Sequence, residues 1–176
     1  MTELTLLSPL SLGPASLDDV RVRPYGVGDE ERLLRISQRL SRHSLYTRFF
    51  IGTPRLPDDY VRALRGLDHW DREAIVALLD DEIIGIADYT RLADRPDHAD
   101  VAVLVADSWQ RRGLARLLVS CLADLARRRR IGVFHADVLL ENRQARAAIA
   151  AAWPAARPVW HDGSARFHLP LPRVTP

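Results

Sequence analysis

The stretch from Val101 to Arg130, VAVLVADSWQRRGLARLLVSCLADLARRRR, constrains the fold more than any other in the chain. It opens as an apolar run of strand length and passes through the short turn ADSWQ. It then becomes a long helical pattern, Gly113 to about Arg130, with Leu114, Leu117, Leu118, Cys121, Leu122 and Leu125 on one side. The junction is unusual. Gly113 is a poor helix former, and Arg111 and Arg112 put positive charge where a helix dipole is already positive. A helix's first amides also lack intrahelical acceptors. An anionic guest resolves the conflict. A phosphate group before the helix would accept from those amides, Gly113 and Ala115 would let its oxygens come close, and Arg111, Arg112 and Arg116 would surround it with charge.

The rest of the chain places this unit in a mixed α/β domain spanning residues 20–176. Residues 1–19 form a Ser/Leu/Pro-rich arm, expected to be irregular. From Val20, VRVRPYGV alternates as a strand does, and Gly28-Asp29 starts a helix carrying Leu33, Leu34, Ile36 and Leu40. SLYTRFF, from Ser44, and LPDDYVRALRGL, from Leu56, read as two further helices. Glu73 to Thr90 is two apolar runs around Asp80-Asp81-Glu82, a hairpin, and His98 to Ala106 is another strand. Ile131 to Leu140 reads as a strand and Asn142 to Ala152 as an alanine-rich helix. ARPVWH and SARFHLPL form a last hairpin around Asp162-Gly163. There is no internal repeat.

Composition excludes several function classes. All 25 basic residues are arginine, so no lysine of its own is available for modification. Net charge is only +2, and Arg127 to Arg130 fall where cations suit a helix end, so nucleic acid is not the expected partner. Cys121 is the lone cysteine, which rules out an internal disulfide and a cysteine-based metal cluster; no metal is expected. The N-terminal segment has no basic region before its apolar patches and is broken by prolines. It reads as neither signal peptide nor membrane span, and a cytoplasmic location is the expectation.

Gln110-Arg111-Arg112-Gly113-Leu114-Ala115, between an apolar strand and a long helix, resembles the Q/R-x-x-G-x-G/A signature of the GNAT superfamily of acyl-CoA-dependent N-acetyltransferases. The similarity in element order runs from about Val20 to Leu171. It implies one GNAT-type α/β domain, a mixed, mostly antiparallel central sheet with helices on both faces. It also implies acetyl-CoA as co-substrate, its pyrophosphate held by Gln110 to Arg116 and its pantetheine arm paired with Val103, Leu104 and Val105. Asn142 matches an asparagine near the pantetheine; helix capping is the alternative role.

SRHSLYTRFF, Ser41 to Phe50, further resembles the catalytic domain of bacterial Pat-type protein lysine acetyltransferases. That likeness puts Tyr46 and Arg48 on the acceptor side, and a protein lysine or a small amine as acceptor. Amine acetylation needs a neutral nitrogen, while a lysine's ordinary pKa is about 10.4. On that likeness the Pat-type glutamate that takes the proton corresponds to Asp100 here, one methylene shorter and so suited to act through a bridging water; a local contact at the strand end is the alternative role. His98 is an alternative base, although an exposed loop histidine is expected there. Two positions depart from the family: Ile149 stands where many members carry an acidic tyrosine, and Trp153-Pro154 replace a Gly-Phe pair. The implied mechanism is direct attack in a ternary complex. A non-catalytic acyl-CoA binding or sensor module is the alternative.

Overall fold

The computed structural model describes residues 15–171. Seven strands form one sheet in the order β1-β2-β3-β4-β5-β7-β6: β1 (Arg21–Pro24), β2 (Arg72–Leu79), β3 (Glu82–Arg91), β4 (His98–Val105), β5 (Val133–Leu139), β6 (Pro158–His161) and β7 (Ser164–Pro170). β4 and β5 are parallel, and the other neighbouring pairs are antiparallel. Five helices accompany them: α1 (Glu30–Ile36), α2 (Arg42–Phe49), α3 (Asp58–Arg65), α4 (Leu114–Arg128) and α5 (Arg143–Ala152).

Strand alternation sorts the apolar residues into two cores. Ala74, Val76, Leu78, Ile83, Ile86 and Leu104 face α1, α2 and α3, meeting Leu33, Ile36, Leu45, Val61 and Leu64. Ile75, Ala77, Ala87, Ala99, Val105, Phe134 and Val138 face the other way, onto Leu114, Leu118 and Leu122 of α4 and Ile149 of α5. Leu34, expected among the helix's apolar residues, is 47% exposed, because only positions 33 and 36 of that short helix reach the sheet. Ile84 is a bulge: Ala77 pairs with Gly85 and Leu78 with Ile83, leaving Ile84 unmatched. Both hairpin turns have two residues at positive φ, Asp80-Asp81 and Asp162-Gly163, as tight two-residue turns require.

The arm's first 14 residues lie outside the described ones; its end is ordered. Ser16 caps a 3-10 turn at Leu17–Asp19, and Ala15 and Leu17 pack against the α4 core. The basic run ending α4 is not wholly solvated. Arg129 turns inward to Glu73, 2.7 Å away and 1% exposed, and to the Tyr89 hydroxyl at 2.8 Å.

Candidate functional site

The parallel pair makes the site. β4 and β5 pair only at His98–Asp100 with Val133–His135. Beyond Asp100, β4 continues to Val105 and β5 to Leu139 with no further pairing between them, while each keeps its partner on the other side. The Ala106 N–H donates to Ile84 of β3 at 2.9 Å. With period-two alternation, Leu104 and Ala102 likewise turn their main-chain groups to β3, and Val101, Val103 and Val105 turn theirs towards β5. Of the three strand residues expected to pair with a pantetheine arm, Val103 and Val105 therefore present backbone to the gap. Leu104 does not, and its side chain is buried beneath α2 and its neighbours. Val101, missed in the sequence, faces the same way, two residues before Val103; its N–H closes the last rung of the parallel ladder and its carbonyl opens onto the gap.

At the top of the gap the chain makes a 3-10 turn, Asp107–Trp109, and enters α4 through Arg111 (φ 59°) and Gly113 (φ 89°). Gly113 needs its lack of a side chain twice over. Its φ is left-handed, and a Cβ would meet Leu17 at 3.3 Å. The first intrahelical bond is from the Leu117 N–H to the Gly113 carbonyl, so the amides of Leu114, Ala115 and Arg116 have no partner within the helix. Among the described residues nothing caps them: Gly113 offers no side chain and the first turn holds no acid. α2 and α5 have side-chain caps from Ser41 and Asn142, and α1 and α3 have acids in the first turn. Arg111, Arg112 and Arg116 are exposed, with no carboxylate pairing with them among the described residues; Arg112 stacks on the Trp109 ring at 4.8 Å. Leu114 is fully buried and gives the loop only its backbone.

Gln110 has a different task from its neighbours. Its amide Nε2 donates to Ser44 Oγ (2.9 Å), Asp107 Oδ1 (3.2 Å) and the Val105 carbonyl (3.3 Å). Asp107 in turn accepts from the Ser41 N–H (3.1 Å) and Ser44 Oγ (2.7 Å). The loop is thereby laced to the first turn of α2. Asn142 Oδ1 accepts from the Ala145 N–H at 3.0 Å, which is a helix cap. Ile149 is buried in the core under α5, and the Trp153 indole donates to the Pro170 carbonyl at 2.9 Å.

On α2, Tyr46 is 39% exposed. Arg48 is largely buried instead: its Nη2 donates to Asp88 at 3.0 Å, its guanidinium lies over the Phe49 and Tyr60 rings, and Tyr60 OH donates to the same Asp88 oxygen at 2.9 Å. Burial pushes the Tyr60 phenol well above its ordinary value. Arg48 thus joins α2 to β3 and α3 with its charge already balanced.

Asp100 stands at the last paired position of β4, at the base of the gap, and is ion-paired with Arg166 of β7, which also bonds Asp137 Oδ2 at 2.5 Å. Beside it lie His98, His135 and His168. His98 is no loop residue. It begins β4, its side chain is 19% exposed, and its Nδ1 is 2.7 Å from His135 Nε2. His135 is 1% exposed, and its Nδ1 is buried without a partner. The arrangement that leaves no buried N–H unpaired puts the proton on His135 Nε2, donating to His98. Burial, then the charges of His168, Arg166, His98 and Arg95, pull the His135 pKa down to about 4. Among the described residues no group of three or more His, Cys, Asp or Glu side chains is placed to hold a metal ion, and no helix is long and apolar enough to cross a membrane. A broad concavity lies at the end of the sheet away from the α4 N-terminus, where Arg91 and Arg129 are already paired with Asp71 and Glu73.

Comparison with known proteins agrees with this geometry. Residues 40–151 match the acetyltransferase (GNAT) family. The GNAT domain of S. lividans PAT is 34% identical, with a TM-score of 0.80 over 86% of this chain and 90% of that one. A cAMP-binding acyltransferase from Mycobacterium smegmatis is 23% identical (TM-score 0.58, 86% of this chain); this chain spans only 43% of that protein. The fold is shared with yncA, a putative acetyltransferase from Salmonella typhimurium solved with its cofactor acetyl-CoA, at 17% identity and a TM-score of 0.68 over 90% of this chain and 97% of that one. A family match over more than half the chain, joined to the unpaired β4 edge and the uncapped α4 terminus, places this chain in the GNAT acetyltransferase family.

Proposed function

We propose that the protein transfers an acetyl group from acetyl-CoA to a primary amine. The observation that carries this reading is the β4 edge that comes free after Asp100 and leads into a helix end with neither cap nor acid. The α4 amides, with Arg111, Arg112 and Arg116, would hold the pyrophosphate. Val101, Val103 and Val105 would pair with the amides of the pantetheine arm, which sets the thioester near Asp100. Gln110 holds the loop rather than the phosphate, and Asn142 shapes the gap's far wall by capping α5.

The amine would approach from the α2 side, where Tyr46 is exposed. It arrives as an ammonium and must lose a proton before its nitrogen can bond to the thioester carbonyl carbon and the C–S bond breaks. Asp100 is the carboxylate at hand for that proton, once Arg166 has left it; no acyl-enzyme is needed, and Cys121 lies on α4 outside the gap. The likeness of Ser41 to Phe50 to Pat-type enzymes, and the S. lividans PAT domain among the relatives, favour a protein lysine as the acceptor. Two observations favour the second reading, a non-catalytic acyl-CoA binding module: the carboxylate needed as base is occupied, and Ile149 replaces the acidic tyrosine.

The test is thiol release from acetyl-CoA against a panel of proteins and small amines, with Asp100→Asn and Asp100→Glu beside the parent. Base assistance is worth about 10²–10⁴-fold, so the Asn variant should lose that much near neutral pH and recover as the amine deprotonates unaided, while Glu retains activity. A uniform loss at every pH would assign Asp100 to positioning. Acetyl-CoA binding without turnover on any acceptor would favour the binding module.

A further inference from the structure

Arg166 is not an ordinary cross-strand partner. Asp137 stands directly opposite it in the β5–β7 register, so that bond is between neighbours. The bond to Asp100 crosses a whole strand and closes the point where β4 and β5 part. One guanidinium therefore serves two carboxylates. The charged or titratable groups that bear on the neighbouring His135 are His98, His168, Arg95 and Arg166 itself; Arg95 has its own partner in Asp94 at 3.8 Å, and His135, at about 4, is neutral at physiological pH. The two aspartates and the one arginine leave a negative charge uncompensated, at the base of the gap and on the sheet face that α2 shares. All three side chains are between a third and a half exposed, so the ion pairs are reachable and individually weak.

We propose that Arg166 gates the acceptor site: the acceptor's ammonium takes its place on Asp100, and Arg166 falls back on Asp137 alone. The proposal rests on reading Asp100 as the residue that meets the amine. Charge favours the exchange. Before it, one cation is shared by two anions; afterwards two cations face two anions, each with its own partner. A cationic primary amine such as a lysine side chain fits this arrangement, and an acidic acceptor does not. Asp137 is then a positioning residue, whose role is to hold the displaced arginine.

Arg166→Gln and Asp137→Asn should act in opposite directions, which a merely structural ion pair would not produce. Without Arg166, Asp100 is open, and the acceptor KM should fall about two- to fivefold, the range of a half-exposed pair. Without Asp137, Arg166 is committed to Asp100, and the acceptor KM should rise by a similar factor. The double variant should resemble Arg166→Gln, and acetyl-CoA affinity should stay unchanged in all. Both positions lie outside the two cores, so the folded chain is expected to survive. Steady-state kinetics with a lysine blocked at both backbone ends, and calorimetric binding of that probe to the CoA-loaded protein, supply two readouts. Turnover in the parent with KM shifts of the same sign, or none, overturns the gate and spares the transferase reading. Opposite shifts in probe affinity without turnover keep the gate and overturn the transferase. Neither turnover nor probe binding overturns both.

Discussion

His135 shows how much of this site is decided by single side chains. It lies one strand from Asp100 in register and is covered on its sheet face by charged neighbours. Its pKa of about 4 lies below the unfolded value of about 6.5, so between those values the unfolded chain binds the extra proton. Stability from keeping this ring neutral is therefore complete above pH 6.5 and is lost as pH falls towards 4. The whole effect is at most about 3 kcal/mol, because each tenfold difference in proton affinity between the folded and unfolded chain is worth about 1.36 kcal/mol. Thermal unfolding between pH 7 and 5 should show a steep loss in the parent and a shallower one in His135→Phe. Equal slopes would mean that other groups carry the acid sensitivity. Gly113 is the complementary case: its left-handed φ and the nearby Leu17 restrict the position to glycine before any ligand is considered.

Among the elements, α2 and the loop before α4 behave as one unit. They are more than sixty residues apart in sequence, yet Asp107 holds the capping residue Ser41 and the Ser44 hydroxyl, and Gln110 braces both. Losing a carboxylate that accepts such hydrogen bonds costs about 1.5 kcal/mol or more. Asp107→Ala should therefore lower the melting temperature by a few degrees, at about 2–4 °C per kcal/mol for a domain of this size. The loss should concentrate in faster amide exchange of residues 42–49, with α5 protected as before, since its cap is its own Asn142. Uniformly faster exchange would mean that the network supports the whole sheet and not this helix. Such a tie brings the exposed Tyr46 and the α4 end of the gap under a common constraint.

At the scale of the whole molecule, the gap between β4 and β5 leaves main-chain groups and three helix amides without partners among the described residues. A ligand that supplies them binds only the folded chain, so it must stabilise it. If acetyl-CoA is that ligand, at a hundred times its Kd it should add about 2.7 kcal/mol, a rise of roughly 5–10 °C in melting temperature. Gly113→Asp should abolish that rise by straining the left-handed turn and setting a negative charge beside the amides proposed to hold the phosphates. An unchanged rise in this variant would remove the α4 terminus from the binding site.

Local chemistry made much of this legible in sequence. Period-two and period-3.6 patterns are short-range properties, and they identified the strands and helices, the two hairpin turns and the junction at Gly113. A glycine between arginines at a helix start conflicts with local rules, and the conflict pointed to a ligand without any knowledge of the fold. What remained hidden depends on register between distant segments. Asp100 reads as a free carboxylate until β7 is laid beside β5 and Arg166 arrives 66 residues later in the chain. Arg48 reads as an acceptor-side residue until Asp88 and Tyr60 meet it, and Gln110 reads as a phosphate ligand until Ser44 claims its amide. His98 reads as an exposed histidine at a strand's start until His135 comes alongside it. Strand composition says that a residue alternates but not who its neighbour is. Only the tertiary structure assigns the partners of polar groups, and those partners decide which charges are spent in holding the fold and which remain for a ligand.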